Sequence, residues 1–140
     1  MSYSALEIAK YVIDKCTRDE QPVSNLQLQK ILYYIQKTFL KNGTEAFEDE
    51  MEAWQFGPVV PNVYYQYCGF GAMAIRMRYE TNIVELFMKI IDPIVDKKRK
   101  LDPWDMVEDT HQEGKAWAEI YRNGLGNHHI IPKELIKRKG

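Results

Sequence analysis

The stretch that decides the fold is residues 24–43, "SNLQLQKILYYIQKTFLKNG". Ser24 and Gln27 have the spacing of a capping box, in which each side chain satisfies a free backbone N–H at the start of a helix. Gly43 is the kind of residue that ends a helix at its C-terminus. The spacing therefore predicts a long helix, and one side of it carries apolar residues at helical spacing: Leu28, Ile31, Leu32, Ile35 and Phe39.

A second apolar ridge and a polar side complete the surface of this helix. The ridge has heptad spacing and consists of Leu26, Tyr33 and Leu40. A helix that is apolar on two sides is either central in the fold or presents one ridge to a partner, and we favour the central position because buried helices commonly have this pattern. The polar side consists of Lys30, Tyr34, Lys37 and Lys41.

The remaining sequence predicts further short helices and at most one extended piece, near residues 51–56. Ser4 and Glu7 form another capping box, for a helix to about Cys16. Asp92-Pro93 is expected to break or kink a helix that begins near Thr81. We therefore predict a mainly α, compact single domain over residues 1–140, with about six helices in all. The other helices are expected over 62–67, 103–111 and 115–123 and after Pro132.

Length, composition and charge restrict the class of protein. A chain of 140 residues with 45% hydrophobic and 28% charged residues is typical of one globular domain. No apolar run approaches the roughly 20 residues that span a bilayer. Cys16 and Cys68 are too few for a disulfide framework or a zinc site and favour reduced, buried thiols in a cytoplasmic protein.

Catalytic and metal-binding spacings are absent from the sequence. A catalytic reading needs a nucleophile with a base, or a metal cluster, and no common motif of either kind occurs. His128 and His129 in "GNHHIIP" could bind a metal with a distant carboxylate, but a solvated loop is the favoured interpretation. His111 is expected to form hydrogen bonds near a helix end. We therefore predict no enzyme activity, no metal and no cofactor.

Two basic runs, "KKRK" (97–100) and "KRK" (137–139), are the features that could contact nucleic acid. Both are short, 20 acidic residues offset them, and the net charge is -1. A solvated face is therefore the favoured interpretation, and a nucleic-acid partner is disfavoured.

The segment "EAWQFGPVVPNVYYQY" (52–67) combines rigid and aromatic residues. Its first half predicts a structural corner, in which Trp54 is a buried plug and Gly57 turns the chain at positive φ. Pro58 and Pro61 are expected to stiffen this corner.

The second half of this segment predicts a surface for a protein partner. Tyrosines on a rigid platform are a usual composition for a binding hot spot, because each combines an apolar ring with a polar tip. The candidate partner-binding residues are Tyr64, Tyr65, Tyr67 and Phe70, together with Lys30 and Tyr34 from the polar side of the long helix.

At these residues the sequence resembles the Panacea domain family, which includes SocA-like antitoxins and phage-associated GepA-like proteins. The resemblance rests on "LQLQKILYYIQ" (26–36) followed by "MEAWQFGPVVPNVYYQY" (51–67), and it covers about residues 4–137. Residues 71–103 match no motif of the family. The motif positions are Leu28, Lys30, Leu32 and Tyr34 on the helix, Ala53, Trp54, Gly57, Pro58 and Val59 at the corner, and Thr110, His111 and Trp117 further along.

The resemblance implies a mostly helical, cytoplasmic, bacterial or phage-encoded antitoxin. Members of the family are found beside diverse toxin genes and are thought to neutralise the toxin by direct protein contact. One member is an adaptor that delivers its toxin to a cytosolic AAA+ protease. The expected partner is therefore a cognate toxin; a protease adaptor and a nucleic-acid-binding regulator remain as alternatives.

Overall fold

The structure is a computed structural model, and it describes residues 3–140. These residues form seven α-helices and a three-stranded sheet, which confirms the mainly α class and the extended piece near residue 51. No helix among them has the length and apolar character needed to cross a membrane. The helices are α1 (Ala5–Arg18), α2 (Asn25–Lys41), α3 (Pro61–Tyr67), α4 (Glu85–Lys98), α5 (Pro103–Thr110), α6 (Ala116–Tyr121) and α7 (Lys133–Lys139), and the strands are β1 (Met51–Trp54), β2 (Gly57–Val59) and β3 (His129–Ile131).

Helix α2 lies at the centre of the fold, as its two apolar sides predict. It contacts α1, α3, α4, α5, α7 and β2. Both predicted capping boxes are present: Ser24 pairs with Gln27 at the start of α2, and Ser4 pairs with Glu7 at the start of α1. The apolar stripe of α2 is completely or almost completely buried, so its burial drives the packing of the helices around it.

Two buried glutamines of α2 hold irregular backbone against the helix. The Gln36 amide accepts a hydrogen bond from the Ala46 N–H (2.8 Å) and donates one to the Phe47 carbonyl (3.0 Å). The Gln29 side chain accepts one from the Val60 N–H (2.9 Å). Buried polar groups of this kind are favourable only when they are paired. Here the pairs fix the backbone just before β1 and just after β2.

The sheet is antiparallel with the order β2-β1-β3. Strands β1 and β2 pair with Trp54 opposite Gly57, so Gln55 and Phe56 form the turn between them. Strand β3 pairs with the other edge of β1 and brings residues 129–131 beside residues 51–53. Residues 129–131 of "GNHHIIP" therefore form a strand rather than the predicted loop, because distant backbone supplies their hydrogen bonds. His128 and His129 are exposed to solvent, as predicted.

Helix α4 departs from the prediction at both ends. It begins at Glu85 rather than near Thr81, and it continues through Pro93 to Lys98. The missing N–H of Pro93 is tolerated because Pro93 faces solvent while a stripe of α4 is buried, and because the Tyr11 hydroxyl donates to the preceding Asp92 (2.6 Å). The buried stripe consists of Phe87, Ile91 and Val95.

Candidate functional site

The corner between β1 and β2 is built around Gly57. Its φ of +117° is a conformation that only glycine adopts readily, as the sequence predicts. A Cβ atom at this position would lie 2.7 Å from Lys30 Nζ and 3.0 Å from Thr110 Oγ1. Gly57 is therefore required both for the turn and for the space that the Lys30 side chain occupies.

Lys30 is completely buried beneath this corner. Its ammonium group donates a hydrogen bond to the Pro58 carbonyl (3.1 Å), and no carboxylate among residues 3–140 lies within 4 Å of it. Burial lowers the pKa of Lys30 to about 7, because the charged form loses its hydration. Helix α2 thus places under the corner a lysine whose charged form is disfavoured by burial.

His111 and Trp117 support the corner from the C-terminal half of the chain. The His111 ring stacks on Trp117 at 3.6 Å between centroids, and the Trp117 indole N–H donates to the Trp54 carbonyl (2.8 Å). His111 Nε2 is buried and has no hydrogen-bond partner among residues 3–140. Burial, and then the charge of Lys30, lower the pKa of His111, so the neutral imidazole is favoured.

The family-motif positions therefore converge on one place in the fold. Lys30 and Thr110 both approach the position where a side chain at Gly57 would begin, and Lys30 also bonds to Pro58. Trp117 is bonded to the strand that precedes the corner. Leu28, Leu32 and Ala53 are completely buried, and Val59 and Trp117 are almost so. Residues from three separate stretches of sequence thus build a single rigid corner.

An aromatic groove opens on the outer side of this corner. We define it by Trp54, Phe56, Tyr64, Trp104 and His128, which line a cavity of about 470 Å³. Trp54 stacks on His128 (4.3 Å) and meets Tyr64 edge to face (5.0 Å), while Phe56 meets Trp104 edge to face (5.2 Å). The rings therefore hold one another in place before any partner binds.

Two rings of the groove are exposed to a degree that is unusual for their size. Phe56 is 46% exposed and Trp104 is 56% exposed, and Tyr65 beside Trp54 is 61% exposed. Phe56 is in the turn between β1 and β2, and Trp104 is in the first turn of α5 behind its N-cap Asp102. Strand pairing constrains the backbone at Phe56 and the capped helix constrains it at Trp104, so little backbone entropy is left to lose when a partner binds.

The residues predicted to bind a partner lie in two different environments. Lys30, Tyr34 and Tyr67 are buried, which corrects the expectation that they form part of an exposed face. The Tyr67 hydroxyl shares a hydrogen bond with the Tyr79 hydroxyl (2.9 Å), and the Tyr34 hydroxyl donates to Asp109 (2.6 Å). The others remain accessible: Tyr65 is exposed, and Tyr64 and Phe70 are half-buried.

Trp54 also differs from its prediction as a buried plug. It is half-buried, its indole N–H donates to Glu52 (2.9 Å), and its ring forms the wall of the groove between Tyr64 and His128. The sequence did not predict Phe56, Trp104 or His128 to belong to a partner-binding surface. One feature of the sequence could have indicated the groove: Phe56 is a large apolar residue in the two-residue turn between β1 and β2.

The described residues contain no arrangement of metal ligands. Among residues 3–140, no group of three His, Cys, Asp or Glu side chains is placed to hold a metal ion. Cys16 is buried as predicted, whereas Cys68 is exposed, because it follows the last turn of α3 and borders the groove. His128 contributes to the groove through its stacked ring.

Comparison with known proteins relates these features to a family. A family model described as "Antitoxin SocA-like, Panacea domain" matches residues 28–118. Antitoxin SocA of Caulobacter vibrioides (strain NA1000 / CB15N) is 30% identical over 139 residues, which covers 89% of this chain and 73% of that protein. No solved structure matches the chain. The matched segment includes the corner, Lys30 and four of the five residues that define the groove.

Proposed function

Because this chain belongs to the family of SocA-like antitoxins with a Panacea domain, we propose that it neutralises a cognate toxin by binding the toxin protein directly. In this proposal the interaction takes place in the cytoplasm, and it needs no catalytic step. The toxin is most simply sought as the product of the adjacent reading frame.

The observation that carries the proposal is the exposed part of the aromatic groove. Binding energy at protein interfaces is concentrated in a few aromatic anchors that become fully desolvated in a pocket. Phe56, Trp104 and Tyr65 are exposed rings, and the cavity beside them can receive a side chain of the toxin. We therefore propose that these three residues are the anchors, with Trp54, Tyr64 and His128 as the wall that positions them.

The support of the groove makes it suited to this role. The turn that carries Phe56 is fixed by the β1–β2 pairing and by Lys30 beneath it, and Trp54 is fixed through its carbonyl by Trp117. A preorganised surface loses little entropy when it binds, so more of its contact energy appears as affinity. In this proposal the buried motif residues hold the surface in shape rather than touch the toxin.

Co-expression with the adjacent reading frame tests the proposal. We expect the double variant Phe56→Ala/Trp104→Ala to be as abundant as the unaltered protein but to fail to restore growth of toxin-expressing cells. The matched control is Leu86→Ala on α4, which removes an apolar side chain that is 68% exposed and lies outside the groove. Full rescue by the double variant, or equal loss of rescue in the control, would reject the groove as the binding surface.

The amount of toxin in rescued cells distinguishes binding from degradation. Neutralisation by binding predicts that the toxin level stays constant in a pulse-chase while growth is restored. A fall in toxin that depends on a cytosolic AAA+ protease would instead assign the protein the adaptor role.

A further inference from the structure

A second cavity, of about 430 Å³, lies where α2, α4 and α5 meet the residue before α6. Four lysines from three parts of the chain line it, together with one tyrosine and one aspartate. We call it the basic pocket and define it by Lys37, Lys97, Lys98, Lys115, Tyr34 and Asp109. It shares no lining residue with the aromatic groove.

In this pocket the lysine ammonium groups lie around two side chains, the Tyr34 ring and the Asp109 carboxylate. Lys98 Nζ lies 3.9 Å and Lys37 Nζ 5.9 Å from the centroid of the Tyr34 ring. Lys115 Nζ lies 3.2 Å from one oxygen of Asp109, and the Tyr34 hydroxyl donates to the other oxygen at 2.6 Å. Both carboxylate oxygens therefore have partners already. Two ammonium groups lie over one tyrosine ring, and a third is paired with the carboxylate that accepts the hydrogen bond of that tyrosine.

The charges of the basic pocket are not balanced within the protein. Four ammonium groups against one carboxylate leave a net charge of +3 in a chain whose net charge is -1. Lys37, Lys97 and Lys98 have no carboxylate within 4 Å in the part of the chain that the structure describes. Burial, followed by repulsion from neighbouring lysines, lowers the pKa of both Lys37 and Lys98. A bound anion would relieve this repulsion.

The "KKRK" run (97–100) does not form a continuous basic stripe. Arg99 turns inward and pairs with Asp19 (2.9 Å) and Asp96 (2.9 Å), so only the two lysines before it reach the pocket. A double helix presents its phosphates along an extended path. A concave site with converging ammonium groups suits a compact anion of several charges better than a nucleic-acid backbone.

We propose that the basic pocket binds a polyphosphate group, either that of a nucleotide or an inorganic polyphosphate. Lysine ammonium groups bind phosphate as point charges, so several converging lysines can neutralise an anion that carries several charges. The near face of the Tyr34 ring is covered by Lys98, so this pocket has no free aromatic face on which to stack a base. Recognition is therefore of the phosphates alone, and it is independent of toxin binding.

Isothermal titration calorimetry with sodium tripolyphosphate tests this assignment. We expect the unaltered protein to bind, and the double variant Lys37→Gln/Lys98→Gln to bind about tenfold more weakly or worse, because two charge-assisted contacts are lost. The matched control is Lys41→Gln/Lys100→Gln, which removes the same charge from exposed positions outside the pocket and is expected to bind like the unaltered protein. Absence of binding, or equal weakening in both double variants, would overturn the assignment.

Two further titrations identify the class and the source of the anion. ATP that binds as tightly as tripolyphosphate would support a nucleotide source, and weaker binding of ATP would support free polyphosphate. A hexaglutamate peptide that displaces tripolyphosphate at equal charge concentration would overturn the proposal in favour of an acidic protein segment. Thermal melting of Lys37→Gln/Lys98→Gln is expected at or slightly above the temperature of the unaltered protein, since the change removes repulsion among the pocket lysines. Lys41→Gln/Lys100→Gln, at exposed positions, is expected to melt like the unaltered protein.

Discussion

Two aromatic clusters in this protein use similar ring contacts for different purposes. In the core, Phe87 packs against Tyr3 (5.2 Å) and Phe39 (4.6 Å), and all three side chains are buried. In the aromatic groove, Phe56 and Trp104 meet at a similar distance (5.2 Å), but about half of each side chain stays exposed. The core cluster has already gained its burial energy in the fold, whereas the groove leaves apolar area exposed to solvent.

The largest expected effect comes from removing a core ring. We expect Phe39→Ala to lower the free energy of unfolding by about 3–5 kcal/mol, because it leaves a cavity beside Phe87. The same change in the groove, Phe56→Ala, is expected to cost less than about 0.5 kcal/mol, as for other exposed sites. Denaturant unfolding of both variants measures the difference. A similar loss for the two would show that the groove rings belong to the folding core.

The corner beneath the groove is expected to tolerate change less well than other turns. Gly57→Ala forces a Cβ against Lys30 at a positive φ, whereas Gly43→Ala meets a positive φ (+91°) with no atom within 4 Å. Both changes place alanine at a positive φ and therefore strain the backbone. The difference between their losses in free energy of unfolding thus measures mainly the cost of the contact with Lys30. We expect Gly57→Ala to be the more destabilising by about 1–3 kcal/mol in equilibrium unfolding. Equal losses would mean that Lys30 moves aside without cost.

A further expected effect on stability is the pH dependence from Lys30. Its pKa is about 7 in the fold and near 10.5 in the unfolded chain, so between these values the unfolded chain binds more protons. The contribution of Lys30 to the free energy of unfolding therefore rises as the pH increases from about 7 to 10.5. Relative to Lys30→Met, the unaltered protein should gain about 2 kcal/mol between pH 7 and 9.

Parallel denaturant titrations of these two proteins measure this difference, because other groups that titrate in the range contribute to both. A flat difference between pH 7 and 9 would mean that Lys30 stays fully charged beneath the corner.

Local features of the fold were predictable from the sequence, and long-range ones were not. The capping boxes at Ser4 and Ser24 and the positive φ at Gly57 follow from short-range chemistry that is written in neighbouring residues. Strand β3 was missed because its hydrogen-bond partners lie almost 80 positions earlier, in β1. The predicted break or kink at Asp92-Pro93 does not end α4, because the burial of Ile91 and Val95 is a tertiary effect that a local rule cannot include.

The candidate site was predicted in part. The corner and the tyrosines after it are local in sequence, but the groove also needs Trp104 and His128 from distant segments. Helical periodicity predicts that Lys30 shares a polar side of α2 with Lys37. It does not predict which other part of the chain packs over that side. In the structure β2 covers Lys30, and the same polar side leads to Lys37 in the basic pocket.

The most direct test of the central claim is the affinity of the purified protein for the product of the adjacent reading frame. We expect this toxin to bind the unaltered protein and Leu86→Ala equally well. The Phe56→Ala/Trp104→Ala variant should bind about a hundredfold more weakly, because two hot-spot rings are lost while its unfolding transition stays unchanged. Unchanged affinity in that folded double variant would contradict the claim that the aromatic groove is the surface by which this antitoxin-family protein binds its toxin.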